Sequence, residues 1–475
     1  MKLIYRPQDK PKFSQCIVFA LQQLLAIMAA TIAVPNIIGH GMSPAAALFG
    51  AGVGTLVYLL FTKFKSPVFL GSSFAFLGSM SAAFAGGVSM SLGYLGMIMG
   101  AAFAGLVYVI IAIVVKLTGS HWVDKLMPAV VIGPTVAIIG LSLAPNAVGD
   151  LFTGNVTHTE TAQITVNGVV QSLESLAVNG KAVDLETSVQ NASPYLCLLC
   201  GLVTLFVTML CSVYGKKFLK MIPFIVGICA GYGLAAILTL IGNSANLETL
   251  QIIDFTKFQN MKWLPDFTFL QAFKGGYEYG EVGSMGTYIA TIAVAYVPVA
   301  FVVFAEHIAD HKNISSIIHT DLLKEPGLHN TLLGDGVGSI AGAFFGGCPN
   351  TTYGESIGCV AISGNASVVT ILTTAIMAVV ISFVAPFSTF LSTIPSCVMG
   401  GVCMALYGFI AVSGLKMLQL VDLEEDNRNL FVASTILIAG IGGMTIKVGP
   451  VVVTEIACAL ILGIVVNKLL SKKKA

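Results

Sequence analysis

The sequence predicts an all-α polytopic membrane protein, and three observations carry that expectation. Of its 475 residues 56% are hydrophobic and only 10% charged, with a mean hydropathy of +0.89. A soluble domain is nearer roughly 45–50% apolar and 25% charged. Apolar runs of about 20 residues, the length that crosses a bilayer core, recur from end to end. The basic residues gather in alternate loops, the pattern expected of cytoplasmic connections. This composition excludes an ordinary soluble enzyme, a disordered chain and a disulfide-rich secreted module. With 24 basic and 23 acidic residues, no overall field points to nucleic acid.

Eleven clear spans are expected near 15–34, 44–61, 91–115, 126–145, 195–214, 220–241, 286–305, 366–386, 394–415, 428–443 and 450–467. Three further stretches, 68–86, 329–346 and 352–363, are apolar but short or interrupted by glycine. Together they give 14 crossings, an even number that puts both termini on one side. With the N-terminus in the cytoplasm, 19 of the 24 basic residues face inward, among them Lys63, Lys65, Lys116, Lys125, Lys216, Lys217 and Lys220. Five remain outside: Lys181, Lys257, Lys262, Lys274 and Lys447. Two long loops, 146–193 and 242–285, then fall outside, and neither carries a cofactor motif. The first holds five acids against one lysine and is expected to form a small cap with β character. Nearly all ten cysteines lie within spans, where a thiol behaves as a small apolar group. Cys197 and Cys200 make a C-x-x-C inside an apolar helix, so no disulfide framework is implied.

Two of the short stretches occupy matching places. The third span reads Pro67, then Gly71-Ser72-Ser73-Phe74-Ala75-Phe76; the tenth reads Gly346-Gly347-Cys348-Pro349-Asn350-Thr351-Thr352-Tyr353-Gly354-Glu355. Each is third in a set of seven, and an odd repeat of seven sets the two halves in opposite orientations. Interrupted segments at corresponding positions are a sequence pointer to a transport site. Each is expected to be a short extended stretch feeding a half-helix, because Pro349 has no amide hydrogen for a regular helix. Asn350 or Thr351 would cap one half-helix and Ser72 or Ser73 the other. Non-helical backbone at membrane depth is tolerated where it lines a cavity. Two facing half-helix N-termini would then form a polar pocket. The other reading is a pair of kinked packing helices.

The eighth span ends AYVPVAFVVFAEHIADHKN. Glu306 falls two-thirds or more of the way through it, with Asp310 one turn later on the same face. Glu355 opens the tenth half-helix. A carboxyl group at membrane depth is costly, about 2.5–3.5 kcal/mol on insertion scales, and normally faces a cavity. Such a group can take up and release a proton, which is the chemistry of coupling to a proton gradient. Glu306 could instead be an inert packing residue, and Asp310 merely interfacial. His307 and His311 also stand four apart, a metal-ligand spacing, yet no H-E-x-x-H is present and both are expected beside the polar boundary before Lys312. Asp335 and Glu455 are expected near the ends of their spans.

At these residues the sequence resembles the nucleobase–ascorbate transporter (nucleobase:cation symporter) family, most closely its bacterial uracil permeases. The matching strings are Ala305-Glu306-His307, Asp321-Leu322-Leu323 with Pro326-Gly327-Leu328-His329, Pro349 to Glu355, Gly71 to Phe76, and Val398-Met399-Gly400-Gly401 with Leu406-Tyr407-Gly408. The resemblance implies 14 transmembrane segments in a 7+7 inverted repeat. A core domain (residues 1–119 and 286–388) would move against a gate domain (120–285 and 389–475), and homodimers are common in the family. It implies a transporter of the plasma membrane and not an enzyme, importing a nucleobase with H+ by alternating access. Glu306 and Glu355 match the family's substrate-binding glutamates; Tyr353, Gly354, Phe74 and Ala30 match residues that line or stack on the base. The chemistry agrees: carboxylates accept from ring N–H groups, half-helix amides donate to C=O, and an aromatic face stacks.

Five positions depart from that pattern. Uracil permeases usually carry His four residues after the span-eight Glu, where Asp310 stands here, as in the purine-transporting branch. Ser356 replaces the usual Asn, Ser363-Gly364 stand where Thr-Arg is expected, and Gln23 stands where His is frequent. The expected function is a uracil:H+ symporter with Glu306 and Asp310 handling the proton. Xanthine or purine symport by the same fold is the alternative, and an uncoupled nucleobase facilitator the second.

Overall fold

The computed structural model describes residues 3–471 apart from 120, 162, 167–168, 173–174, 179–180, 185, 217–218, 220–221, 420, 424–425 and 449–450. Lys217, Lys220 and the lysines at 472–474, counted above as inward-facing, lie outside the described residues. Among the described residues eight helices are long and apolar enough to cross a membrane. A ninth candidate is the pair Val368–Ile381 and Ala385–Thr393, bent by 86° at its break.

The chain opens with α1 (Phe13–Ile38) and α2 (Pro44–Phe61). Helix α2 starts where Ser43 accepts a hydrogen bond from the Ala46 amide and Pro44 takes the first turn, a position where its missing N–H costs nothing. A three-residue strand β1 (Leu70–Ser72) follows, then a 3-10 turn at Phe74–Phe76 and the short α3 (Leu77–Ala83). Next come α4 (Met90–Thr118), the segmented α5 (His121–Leu126), α6 (Ala129–Ser142) and α7 (Ala144–Asp150). The loop expected to have β character contains strands β2 to β7 between Thr157 and Gln190, paired as three antiparallel two-stranded ladders. Helices α8 (Pro194–Tyr214), α9 (Pro223–Ala245) and the short α10 (Thr268–Ala272) lead to α11 (Met285–Ile318), the longest at 34 residues.

The second half runs through α12 (Leu328–Gly346), strand β8 (Asn350–Thr352), the half-helix α13 (Gly354–Ser363), α14 (Val368–Ile381) and α15 (Ala385–Thr393). It closes with α16 (Ser396–Leu418), α17 (Asn427–Ile441), a β9–β10 hairpin (Ile446–Val448 and Val451–Val453) and α18 (Glu455–Leu470). Glu455 is the first residue of the last helix.

Two packing groups emerge. Helices α1, α2, α4 and α11 to α14 pack mainly on one another, while α6 to α9 pack with α16 to α18. The most extensive seam joins α2 to α12. A Cβ added at Gly338 would stand 2.7 Å from the Gly54 carbonyl, and one at Gly346 2.7 Å from that of Ala46. Small residues let the two backbones approach this closely, which is how helices associate where lipid supplies no hydrophobic drive. That seam holds both broken segments at one depth.

Candidate functional site

Strands β1 and β8 pair antiparallel, Leu70 opposite Thr352, Gly71 opposite Thr351 and Ser72 opposite Asn350. The ladder is extended at both ends, Ser73 N donating to Pro349 O (2.9 Å) and Tyr353 N to Phe69 O (3.2 Å). Backbone polar groups that no helix could use inside a membrane are thus satisfied between the two halves of the chain. Side chains from α2 complete the joint: Leu70 N donates to Thr55 Oγ1 (2.9 Å) and Asn350 Nδ2 to Gly50 O (3.1 Å). Tyr353 OH donates to Ser72 O at 2.8 Å. Its ring packs against Gly71, where any side chain would collide with it.

The expected side-chain caps are absent here. The tenth-span stretch runs on further than the sequence suggests, so the cap position of α13 falls on Tyr353; Ser73 does hold the cap position of the 3-10 turn, but its side chain makes no cap hydrogen bond. Asn350 is spent on α2 instead. The N-terminal amides of α13 are consequently left for whatever occupies the space in front of them.

That space is a cavity of about 320 Å³ lined by Glu306, Asp310, Glu355, Phe74, Tyr353 and Gly354 together with Thr351 and Thr352. Its far wall is apolar and comes from the second packing group: Val136, Phe224, Phe409 and Ile410. It extends toward Ser212, Asn313 and Ser413, near the helix ends that the charge pattern assigns to the cytoplasm. No Lys, Arg or His lines it among the described residues. Ala30 is fully buried in α1 and does not line the cavity; Ala26, one turn earlier, does.

Glu306 and Asp310 stand one turn apart on α11, both half-buried. Asp310 Oδ2 accepts from Thr352 Oγ1 at 2.7 Å, so the acid four residues beyond Glu306 is tied to the strand crossing. The Glu306 carboxylate has no hydrogen-bond partner among the described residues. The buried Thr351 hydroxyl also has none, although buried polar groups are normally paired. Phe74 meets Tyr407 edge to face, ring centroids 5.5 Å apart at 84°, which fixes the plane it offers to the cavity.

His307 and His311 are not at a polar boundary. Both are fully buried on the face of α11 turned away from the cavity. His307 Nδ1 meets Asp335 Oδ2 at 2.7 Å and its Nε2 meets Thr331 Oγ1 at 3.0 Å. His311 Nδ1 donates to the His307 carbonyl (2.8 Å), and its Nε2 meets Tyr58 OH at 2.7 Å. All four ring nitrogens are therefore committed to protein partners, leaving none for a metal. Asp335, expected near a span end, is instead the fully buried partner of His307. Sequence reasoning missed Thr352 and Asp335, because their roles depend on contacts across 42 and 28 positions.

A multi-pass helical fold with a half-buried acidic cavity beside two broken spans defines a membrane transporter rather than an enzyme. The sequence profile described as Permease family matches residues 14–179 and 151–449. A uracil permease of Bacillus subtilis (strain 168) is 37% identical over 98% of this chain and 95% of its own length. One from Escherichia coli (strain K12) is 32% identical over 96% and 91%. The chain belongs to this permease family. Among solved structures, the transmembrane domain of the cyanobacterial bicarbonate transporter BicA matches with a TM-score of 0.60 over 98% of this chain and 99% of its own, at 15% identity. That likeness is one of fold.

Proposed function

We propose that this chain imports a nucleobase, uracil, together with protons across the cell membrane by alternating access. The observation that carries the reading is the convergence of Glu306, Asp310 and Glu355 on one cavity in front of the α13 amides. Uracil is a planar ring with two N–H donors and two carbonyl acceptors. Glu306 and Glu355 accept from the N–H groups, the free amides that open α13, Gly354 first, face the carbonyls, Tyr353 borders the base and Phe74 stacks. Ala30 backs this wall behind Ala26. Glu306 and Asp310 carry the proton. The uracil permeases of B. subtilis and E. coli, similar over nearly their whole length, support the substrate.

The same reading takes the fold as 14 spans in a 7+7 inverted repeat with both termini cytoplasmic. The core is residues 1–119 and 286–388, the gate 120–285 and 389–475, and the working unit a homodimer. The antiparallel pairing of β1 with β8 and the two packing groups support the repeat and the division. The cavity lies between the groups, so sliding one past the other would turn its opening from one side to the other.

Xanthine is the second reading, and Asp310 favours it: a third acceptor in the cavity suits the additional ring N–H of a purine dione. Labelled uracil uptake in cells, challenged with unlabelled uracil, thymine, xanthine and uric acid, separates the two. Uracil competing best supports the first reading; xanthine competing best replaces it with the second. Uptake that persists unchanged with a protonophore would overturn proton coupling and leave a facilitator.

A further inference from the structure

Two of the positions that depart from the uracil-permease pattern, Gln23 and Ser356, touch each other. Gln23, on α1, is 3% exposed and Ser356 not at all. Gln23 Nε2 donates to both Oγ and the backbone carbonyl of Ser356. Ser356 Oγ also accepts from Phe69 N at 3.2 Å, and Phe69 O takes the Tyr353 amide. Three pieces of chain therefore meet at one hydroxyl: α1, the segment entering β1, and the first turn of α13. Ser356 directly follows Glu355. Any shift of this joint moves the Glu355 carboxylate relative to Glu306 across the cavity.

The joint is also matched in size. A long, flexible Gln reaches across to a short Ser. With the His and Asn that the resemblance expects at these two places, a shorter reach from α1 would meet a longer one from α13. Exchanging only one partner would leave a gap with unpaired donors or force two long side chains into a filled space.

We infer that Gln23 and Ser356 are a compensated pair of positioning residues that sets the placement of Glu355 and with it the affinity for the base. The inference rests on the reading of Glu355 as a base-binding group. It makes the two departures one event rather than two, and neither side chain lines the cavity itself.

The test is a double-mutant cycle in proteoliposomes with labelled uracil, comparing wild type, Gln23→His, Ser356→Asn and the double variant, each with its melting temperature in detergent. Each single change should raise KM about tenfold with maximal rate per folded molecule held within about twofold. The double variant should return KM to within about threefold of wild type. Singles that leave KM unchanged, or a double whose KM rises by the product of the two, overturn the inference. Singles that only lower melting temperature and protein yield would make the joint a packing contact and overturn it as well. Wild-type vesicles that take up no nucleobase would overturn the underlying reading instead. The pairing would then be judged from the melting temperatures alone, where simple additivity would sink it.

Discussion

Helix α11 carries polar residues on two faces one position apart, and the two faces meet opposite surroundings. Glu306 and Asp310 look into the cavity; among the described residues Glu306 has no hydrogen-bond partner and Asp310 is held by a single threonine. His307 and His311 look into protein, where every ring nitrogen has a partner and the two rings stack with centroids 4.0 Å apart. A step of about 100° around the helix separates the faces. Buried polar groups in a finished core are satisfied, whereas those meant for a ligand are left open. On the proposed function, the repeated acid–imidazole dipeptide combines two tasks in six residues: one column offers acceptors, and the other fixes the helix that offers them.

The comparison breaks most readily at Glu306. Glu306→Gln should lower uphill uracil uptake about 100-fold per folded molecule, the loss of a charged hydrogen bond at the substrate. His307→Gln should leave uptake per folded molecule within about threefold while lowering protein yield. Equal losses of transport in the two variants would erase the distinction between the faces.

On the buried face, Asp335→Ala strips His307 of its Nδ1 partner inside the protein. Thermal unfolding in detergent should register a loss of about 3 kcal/mol, and His307→Leu combined with Asp335→Leu should recover part of it. On the cavity face, Thr352→Val removes the one donor to Asp310. We expect about a fivefold rise in KM for uracil, with the melting temperature little changed. Asp310→Asn should impair accumulation against a gradient more than equilibrium binding, which a binding assay run beside uptake would resolve.

The smallest effect lies outside both faces. Lys65 Nζ pairs with Glu325 across two surface loops, and this hydrogen bond together with the lysine charge holds the Glu325 carboxyl below its ordinary pKa. A lowered folded-state pKa gives stability that is present above the unfolded value and lost as pH falls through the folded one. Glu325→Gln should therefore lower the melting temperature slightly at pH 7, and the difference should vanish in acid below the ordinary glutamate range. A difference that grew on acidification would contradict the pairing.

Much of this was legible in the sequence because it is written in local pattern. Span positions follow from runs of apolar residues, the breaks from Pro349 and the glycines, and the cavity acids from charge at membrane depth. The β character of residues 157–190 followed from composition. What stayed hidden depends on partners distant in the chain. No local signal pairs Leu70 with Thr352, and three-residue strands are too short to show alternation. The tenth-span N-cap differs from the expectation because its extended stretch runs further than its residue types suggest, which carries the cap to Tyr353. The histidines were misplaced because a sequence shows spacing but not which face of a helix meets a neighbour. Asp310 was one position where both chemistry and spacing spoke, yet its tie to Thr352 needed the fold.

The β1–β8 crossing is built from main-chain bonds, and its side chains are dealt out to α2, α11 and the cavity by register alone. Every residue but proline carries the same amide and carbonyl, so exchanging a side chain leaves the crossing in place except at Gly71, where the Tyr353 ring leaves no room for one. Adding or deleting one residue between Cys348 and Tyr353 would do the reverse, handing each side chain to the opposite neighbour. Over evolutionary time this stretch should accept new letters far more readily than new lengths. Its chemistry is open to retuning, and its spacing is not.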